Sequence, residues 1–299
     1  MPGVLGLRDS ALALLVMVLW GYNFVVAKVG ITEFPPIFMM GMRFLLSAII
    51  LVPFVRLPRE HMKQIAAVSV VLGAGHFSTM LTGMKYLDGS TAAITVQLQV
   101  PFSALLATVL LNDPPGWRRL LGMALAFAGV VLIAGEPRFQ DNLWALGLVV
   151  FAAFLWAVTN VQVKQMRGVD EMALLAWMSV MAAPQLFLLS WLLEGGQIAS
   201  IGTATWRGWG AVVYQAVIVV TLTYGIWYRL LARHGVTAAV PYTLLVPVFG
   251  VLASVIWLDE TLSARVIVGG IVTVLGVGVI VLRRPHLADP VPDATVDRD

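Results

Sequence analysis

Long apolar segments alternate with short polar ones along the chain, and this alternation predicts membrane-spanning helices. About 20 apolar residues are needed to cross the hydrocarbon layer of a bilayer. Ten segments come close to this length, and most of the polar connections between them are shorter than ten residues. The predicted spans are residues 10–29, 36–55, 64–86, 89–111, 117–134, 142–165, 172–193, 208–231, 236–257 and 264–282. The pattern therefore predicts an all-α integral membrane protein with no room for an extramembrane domain.

Part of the sequence occurs twice. Residues 91–107 read TAAITVQLQVPFSALLA and residues 237–253 read TAAVPYTLLVPVFGVLA, with identity at eight of 17 positions. Further pairs at matching spacing are Trp20 and Lys28 with Trp156 and Lys164, and Gly122 and Gly129 with Gly269 and Gly276. The chain is therefore interpreted as two copies of a five-span unit, residues 1–136 and 137–285. The polar, proline-bearing residues 286–299 are predicted to form a disordered cytoplasmic tail.

The basic residues are distributed unevenly between the two sides of the predicted bundle. With a cytoplasmic N-terminus, thirteen lie inside, and the five outside are Lys28, Lys85, Arg138, Arg207 and Arg265. The positive-inside rule then predicts that both termini are cytoplasmic. Because five spans is an odd number, the second copy enters the membrane from the opposite side. Such inverted repeats are typical of transporters, whose binding site lies between the copies.

The composition excludes several kinds of functional site. Apolar residues make up 60 % and charged residues 12 % of the chain, and the mean hydropathy is +0.90. The absence of cysteine excludes disulfides and cysteine nucleophiles. No carboxylate lies inside a predicted span, which argues against tight proton or sodium coupling and against a membrane-embedded enzyme. The basic residues are too scattered for nucleic-acid binding, and neither an ATP-binding motif nor another cofactor site is expected.

Two basic groups lie deep within predicted spans, away from the span ends. His76, near the middle of span 3, has two interpretations: contact with a substrate or a proton, or a neutral imidazole bonded to a neighbouring helix. Arg43 in span 2 is expected to reach toward the surface or loop carbonyls, with neutralisation of a substrate carboxylate as the alternative.

Two prolines occupy equivalent positions in spans 4 and 9. Pro101 and Pro247 each remove a backbone hydrogen bond about one turn upstream, near Gln97 and Thr243. We predict a hinge or cavity role for both prolines, because irregular backbone is tolerated in membranes where it lines a cavity. The alternative is a kink that improves packing. The paired glycines of the fifth and tenth spans are predicted to serve close helix packing.

Polar and aromatic side chains near the middle of several spans predict the wall of a substrate cavity. Trp20 and Asn23 share one helix face, as do Trp156 and Asn160. Such a wall suits a neutral or zwitterionic organic solute with an apolar part. Helix–helix hydrogen bonding, or core filling for Met80, is the alternative for each residue. The predicted substrate-binding residues are Trp20, Asn23, His76, Thr79, Met80, Gln97, Trp156, Asn160, Tyr224, Tyr228 and Thr243, with Pro101 and Pro247 as hinges.

Several of these motifs resemble the drug/metabolite transporter superfamily, in its ten-helix EamA-type exporters. The resemblance rests on Trp20-Gly21, Asn23-Phe24, Lys28, Arg43, and Leu258-Asp259-Glu260-Thr261-Leu262 leading to Gly269. It covers about residues 10–283, and within the superfamily the chain is most similar to the YddG aromatic amino-acid exporters. The resemblance implies ten helices in two inverted repeats and outward movement of amino acids. One departure is Asn112-Asp113-Pro114-Pro115, where the family has a glutamate-containing turn.

Together these features predict a multi-pass exporter of the bacterial inner membrane. We expect it to move aromatic and other neutral amino acids, or related small metabolites, by alternating access through a central cavity. Its expected partners are a small-molecule substrate and membrane lipid, and the pattern is compatible with a monomer. The alternatives are an exporter of drugs, nucleosides or other metabolites, a membrane-embedded enzyme, and a structural subunit.

Overall fold

The computed structural model describes residues 5–111, 116–166 and 168–282, and all regular structure within these ranges is helical. Ten of the described helices are long and apolar enough to cross a membrane, which confirms the ten predicted spans with ends shifted by up to five residues. Spans 1 to 10 are Leu7–Glu33, Pro36–Phe54, Arg59–Lys85, Gly89–Leu110, Trp117–Ala134, Phe139–Gln165, Glu171–Leu193, Trp206–His234, Val240–Leu258 and Ala264–Val281. A short helix, Gln197–Thr203, connects spans 7 and 8. The turn at residues 112–115 and the tail at 286–299 lie outside the described residues.

Proline chemistry sets the sharp turn between the first two spans. Span 1 ends where Phe34 adopts an extended backbone, as expected for a residue that precedes proline. Pro35 is also extended, and Pro36 occupies the first turn of span 2, where its missing N–H removes no helical hydrogen bond. The chain thus reverses direction within two residues.

Spans 5 and 10 cross closely through their paired glycines. A Cβ atom built on Gly129 would lie 2.5 Å from the carbonyl oxygen of Gly269, and one on Gly269 would lie 2.6 Å from that of Gly129. About two helical turns earlier in span 5, a Cβ on Gly122 would lie 2.7 Å from the carbonyl oxygen of Gly276. These distances leave no room for any side chain, so the prediction of close helix packing is confirmed.

The contacts among spans follow a regular scheme. Span 1 packs on span 9, and span 6 packs on span 4; span 3 packs on spans 6 and 7, and span 8 packs on spans 1 and 2. Spans 2 and 7 pack on each other, as do spans 5 and 10. Exchanging each span of the first five for its counterpart among the last five reproduces these principal contacts.

Spans 3 and 8 share an irregular backbone. Ser69–His76 in span 3 and Tyr214–Thr223 in span 8 are π-helical, with wider turns than the flanking α-helix. Such segments are rare in proteins and occur frequently at functional sites. Both lie near the middle of their spans.

Spans 4 and 9 are irregular at a second pair of equivalent positions. Val96–Leu98 and Val240–Leu244 form 3₁₀ turns immediately before the helical segments that contain Pro101 and Pro247. The predicted disturbance of the backbone upstream of both prolines is thus present. It arises because neither proline can donate to a carbonyl one turn earlier.

Candidate substrate site

Two tryptophans make crossed contacts between the halves of the chain. Trp156 of span 6 meets the imidazole of His76 in span 3 edge-on, with ring centroids 5.0 Å apart. Trp20 of span 1 donates its indole N–H to Thr223 Oγ1 in span 8 at 2.6 Å. Its ring also lies 5.4 Å from the ring of Tyr224. Each tryptophan therefore contacts the end of a π-helical segment that belongs to the opposite half.

His76 is buried, with 3 % of its surface exposed, and is fixed by span 6. Its Nδ1 lies 2.8 Å from the carbonyl oxygen of Ala152. Because a carbonyl only accepts, Nδ1 carries the proton in this hydrogen bond. In a neutral imidazole Nε2 is then the acceptor, so bonding to a neighbouring helix occupies one nitrogen and leaves the other for a ligand.

Arg43 departs from the sequence expectation. Its side chain is 3 % exposed and does not reach toward the surface or a loop carbonyl. The guanidinium carbon lies 4.5 Å from the ring centroid of Phe77 and 5.3 Å from that of Phe44. These aromatic faces hold the cation by cation–π attraction within the bundle. The expectation of a surface-reaching arginine is therefore wrong, because span 2 turns this residue toward spans 3 and 8.

Two tyrosines of span 8 add further aromatic rings to the candidate site. The rings of Tyr224 and Tyr228 are stacked with centroids 5.8 Å apart, and both residues are half-buried. Tyr224 lies within electrostatic range of Arg43. Trp227 adds another ring, which lies 5.5 Å from that of Trp20.

The two predicted asparagines are placed differently. The Oδ1 atom of Asn23 is buried and accepts no hydrogen bond from any described residue. Asn160 is exposed, and its Nδ2 donates to Ser103 Oγ of span 4 at 3.1 Å. Asn160 thus contacts span 4 while Trp156, one turn earlier, contacts span 3. The predicted symmetry of the two tryptophan–asparagine pairs holds for the tryptophans alone.

Three of the predicted substrate-binding residues are engaged within the protein. Two donate hydrogen bonds to their own helix, and the third packs in the hydrophobic core. Thr79 Oγ1 donates to the Gly75 carbonyl at 2.8 Å, and Thr243 Oγ1 donates to the Val240 carbonyl at 2.7 Å. Met80 is 6 % exposed and belongs to the main hydrophobic core. In this structure these side chains act in local packing.

Gln97 lies on the 3₁₀ turn of span 4 and is buried, with 6 % of its surface exposed. The amide of the half-buried Gln99 approaches its Oε1 at 3.5 Å, a weak hydrogen bond. Gln97 therefore keeps hydrogen-bonding capacity inside the bundle.

Phe77, Thr223 and Trp227 contact the predicted site but were not singled out by the sequence. The signal was available on span 8, where Thr223, Tyr224, Trp227 and Tyr228 recur at helical spacing on one face. Phe77 carries no such signal, because a single apolar ring is ordinary in a membrane span. Among the described residues, no group of three histidines or carboxylates is placed to hold a metal ion.

Comparison with known proteins places the chain in a family. The model of the EamA-like transporter family matches residues 9–135 and again residues 143–282. The chain belongs to this family. The likeness to YddG exporters in particular stays a prediction.

Curated relatives match over most of their length. A probable amino-acid metabolite efflux pump of Salmonella typhimurium is 31 % identical over 278 residues, covering 90 % of this chain and 93 % of the relative. A protein of the same description from Escherichia coli is 29 % identical with the same coverage. A probable terminal-alkyne amino-acid exporter of Streptantibioticus cattleyicolor is 25 % identical over 234 residues, 76 % of this chain and 75 % of the relative.

A solved crystal structure shares the fold. It aligns with a TM-score of 0.62 at 16 % identity and covers 92 % of this chain and 97 % of its own. Family membership and the ten spans together identify a multi-pass transporter of the bacterial inner membrane that exports small metabolites.

Proposed function

We propose that this chain exports amino acids, aromatic and other neutral ones, by alternating access through a site between two inverted five-span repeats, residues 1–136 and 137–285. The contact scheme supports the repeats, because exchanging the two sets of five spans leaves the principal contacts unchanged. The two separate matches to the family model point the same way. An odd number of spans in each repeat gives the repeats opposite orientations in the membrane, with both termini cytoplasmic.

The observation that carries the proposal is the crossed pair of tryptophan contacts. Trp20 reaches span 8 and Trp156 reaches span 3, each near the middle of the bundle. A solute bound between them contacts both halves at once, so rocking one half against the other changes the side to which it is exposed.

The chemistry of the site fits a zwitterion with an apolar side chain. The rings of Trp20, Trp156 and Tyr224 offer flat apolar surfaces. The unpaired Oδ1 of Asn23 and the Nε2 of His76 are acceptors suited to an ammonium group. Relatives described as amino-acid metabolite efflux pumps and as an amino-acid exporter support the same class of substrate.

Counterflow in proteoliposomes tests the proposal. Vesicles loaded with unlabelled tryptophan are expected to accumulate labelled tryptophan above protein-free vesicles, and His76→Ala is expected to lower the initial rate roughly tenfold. His61→Ala is the matched control, because His61 lies at the start of span 3, away from the tryptophan contacts. Failure of tryptophan, threonine and methionine to exchange above protein-free vesicles would rule out the proposed substrate class.

A further inference from the structure

Arg43 is a buried cation whose charge no described residue balances. Its Nη1 approaches Met40 Sδ at 3.6 Å, and its Nε is buried without any hydrogen-bond acceptor. No described carboxylate forms an ion pair with it. Two aromatic faces attract the cation, but they cannot accept the five N–H bonds that a guanidinium offers.

Such an arrangement is costly and is retained in membrane proteins for function. Buried guanidinium groups normally pair with a carboxylate or with backbone carbonyls, because removal from water leaves their donors unsatisfied. Arg43 has neither kind of partner among the described residues. Its guanidinium therefore keeps N–H donors that are free, with respect to the described residues, to bind an anionic ligand.

The position of Arg43 connects it to the candidate site. Phe77, which holds the guanidinium, also contacts the imidazole of His76 with ring centroids 4.7 Å apart. Both His76 and Tyr224 lie within electrostatic range of Arg43. His76 contacts Trp156 and Tyr224 contacts Trp20, so Arg43 acts on one neighbour of each tryptophan.

We propose that Arg43 binds the α-carboxylate of the exported amino acid. The planar guanidinium matches a carboxylate through two parallel N–H···O bonds, which fixes both charge and orientation. The carboxylate anchors the solute on span 2 while the aromatic rings hold its side chain. This assignment rests on the proposed function and adds the residue that selects for the acid group.

A pair of ligands that differ only at the carboxylate tests the assignment. Binding of labelled L-tryptophan to the detergent-solubilised protein is competed with unlabelled L-tryptophan and with L-tryptophan amide, which keeps the ring and the ammonium. The wild type is expected to prefer the acid by roughly tenfold or more, the value of a hydrogen bond to a charged group. Arg43→Gln is expected to abolish this preference, and Arg43→Lys to keep part of it.

Arg229→Gln is the matched control, since Arg229 is exposed near the end of span 8 and is expected to keep the full preference. An Arg43→Gln protein that elutes as a single species and still prefers the acid would overturn the assignment while leaving amino-acid export standing. Equal affinity of the wild type for acid and amide would overturn it even if Arg43→Gln fails to fold. A wild type that neither binds nor exchanges any amino acid would remove the proposed function and this assignment together.

Discussion

The two ends of the bundle are connected by different kinds of hydrogen bonds. At the end that the charge pattern assigns to the outside, carboxylates bind the first backbone N–H groups of helices from the opposite half. Glu260 accepts from the N–H groups of Gly89 and Ser90 at 2.6 and 3.0 Å. Glu194 accepts from those of Ile37 and Phe38 at 2.8 and 3.0 Å. Charge-assisted bonds to a helix N-terminus are among the stronger ones in proteins.

At the predicted inner end the connections between the halves are made by side chains near water. Asp9 meets His234 at 2.6 Å and Arg233 at 3.3 Å, and the Arg233 side chain is 68 % exposed. Tyr242 donates to Ser10 Oγ at 3.0 Å. The Asp9–Arg233 pair contributes little to stability because water and salt screen an exposed ion pair, whereas the Asp9–His234 bond is part-buried.

The repeated lysines show the same contrast. Lys28 of span 1 donates to the carbonyls of Met84 and Leu87 at 2.7 and 2.6 Å, which joins span 1 to the end of span 3. Its counterpart Lys164 is exposed and, among the described residues, has no hydrogen bond or ion pair. The position equivalent to Glu260 is Pro114, which has no carboxylate and lies outside the described residues.

This difference shows that a repeated sequence does not connect the two ends of the bundle in the same way. In the proposed cycle, the structure is a state with a firmly closed outer end and a weakly joined inner end. A cleft of about 610 Å³ opens at that inner end, between the loops that follow spans 2 and 6. Opening toward the outside requires the bonds of Glu260 and Glu194 to the opposite half to break, whereas opening toward the inside breaks the side-chain bonds of Asp9 and Tyr242.

The largest expected effect comes from the region where the two halves are alike. Gly129→Val and Gly276→Val each place a side chain against the backbone of the partner span, so each is expected to lower the free energy of unfolding by about 3 kcal/mol. Denaturation by sodium dodecyl sulfate measures this loss. Gly147→Val is the control, because a Cβ on Gly147 meets no atom within 4 Å. Equal stability of the three variants would contradict the close crossing of spans 5 and 10.

An intermediate effect separates the two lysines. Lys28→Met removes a charged donor from two backbone carbonyls and is expected to cost about 2 kcal/mol of unfolding free energy. Lys164→Met is its matched partner and is expected to change that free energy by less than about 0.5 kcal/mol. The same denaturation measurement compares them. A similar loss of unfolding free energy in both variants would mean that Lys28 and Lys164 stabilise the protein equally, which would contradict the difference between the two ends.

The smallest expected effect concerns the bonds that Glu260 makes at the start of span 4, at the predicted outer end. Glu260→Gln weakens the bonds to span 4 by about 1 kcal/mol, the usual value of a helix cap. The chain has no cysteine, so Thr91→Cys provides a single label site at the buried start of span 4. Labelling by a membrane-impermeant maleimide is expected to rise about fivefold with Glu260→Gln.

Glu60→Gln, in the exposed first turn of span 3, controls for a general effect of removing a carboxylate charge. If labelling at position 91 rises equally in both variants, or in neither, Glu260 does not hold the outer end closed.

The sequence predicted the fold well because the membrane imposes simple rules. Spans of about 20 apolar residues were recognisable by length alone. The glycine pairs predicted close packing of spans 5 and 10. The site was harder to predict. Trp20, Trp156 and His76 proved to be in cross-half contacts, whereas Thr79 and Thr243 bond to their own helices. A hydroxyl has no sequence signature that tells a local carbonyl from a distant partner.

The sequence by itself determined the ten spans, the duplication and the irregular turns before Pro101 and Pro247, because each follows from local hydrophobicity or from a missing N–H group. Only the tertiary structure decided that Arg43 points inward without a carboxylate or carbonyl partner among the described residues, and that Lys28 is hydrogen-bonded whereas Lys164 has no described hydrogen bond or ion pair. The reason is that rotation of a helix about its axis is set by its neighbours. Nearly all residues of a membrane span are apolar, so their pattern alone leaves that rotation open.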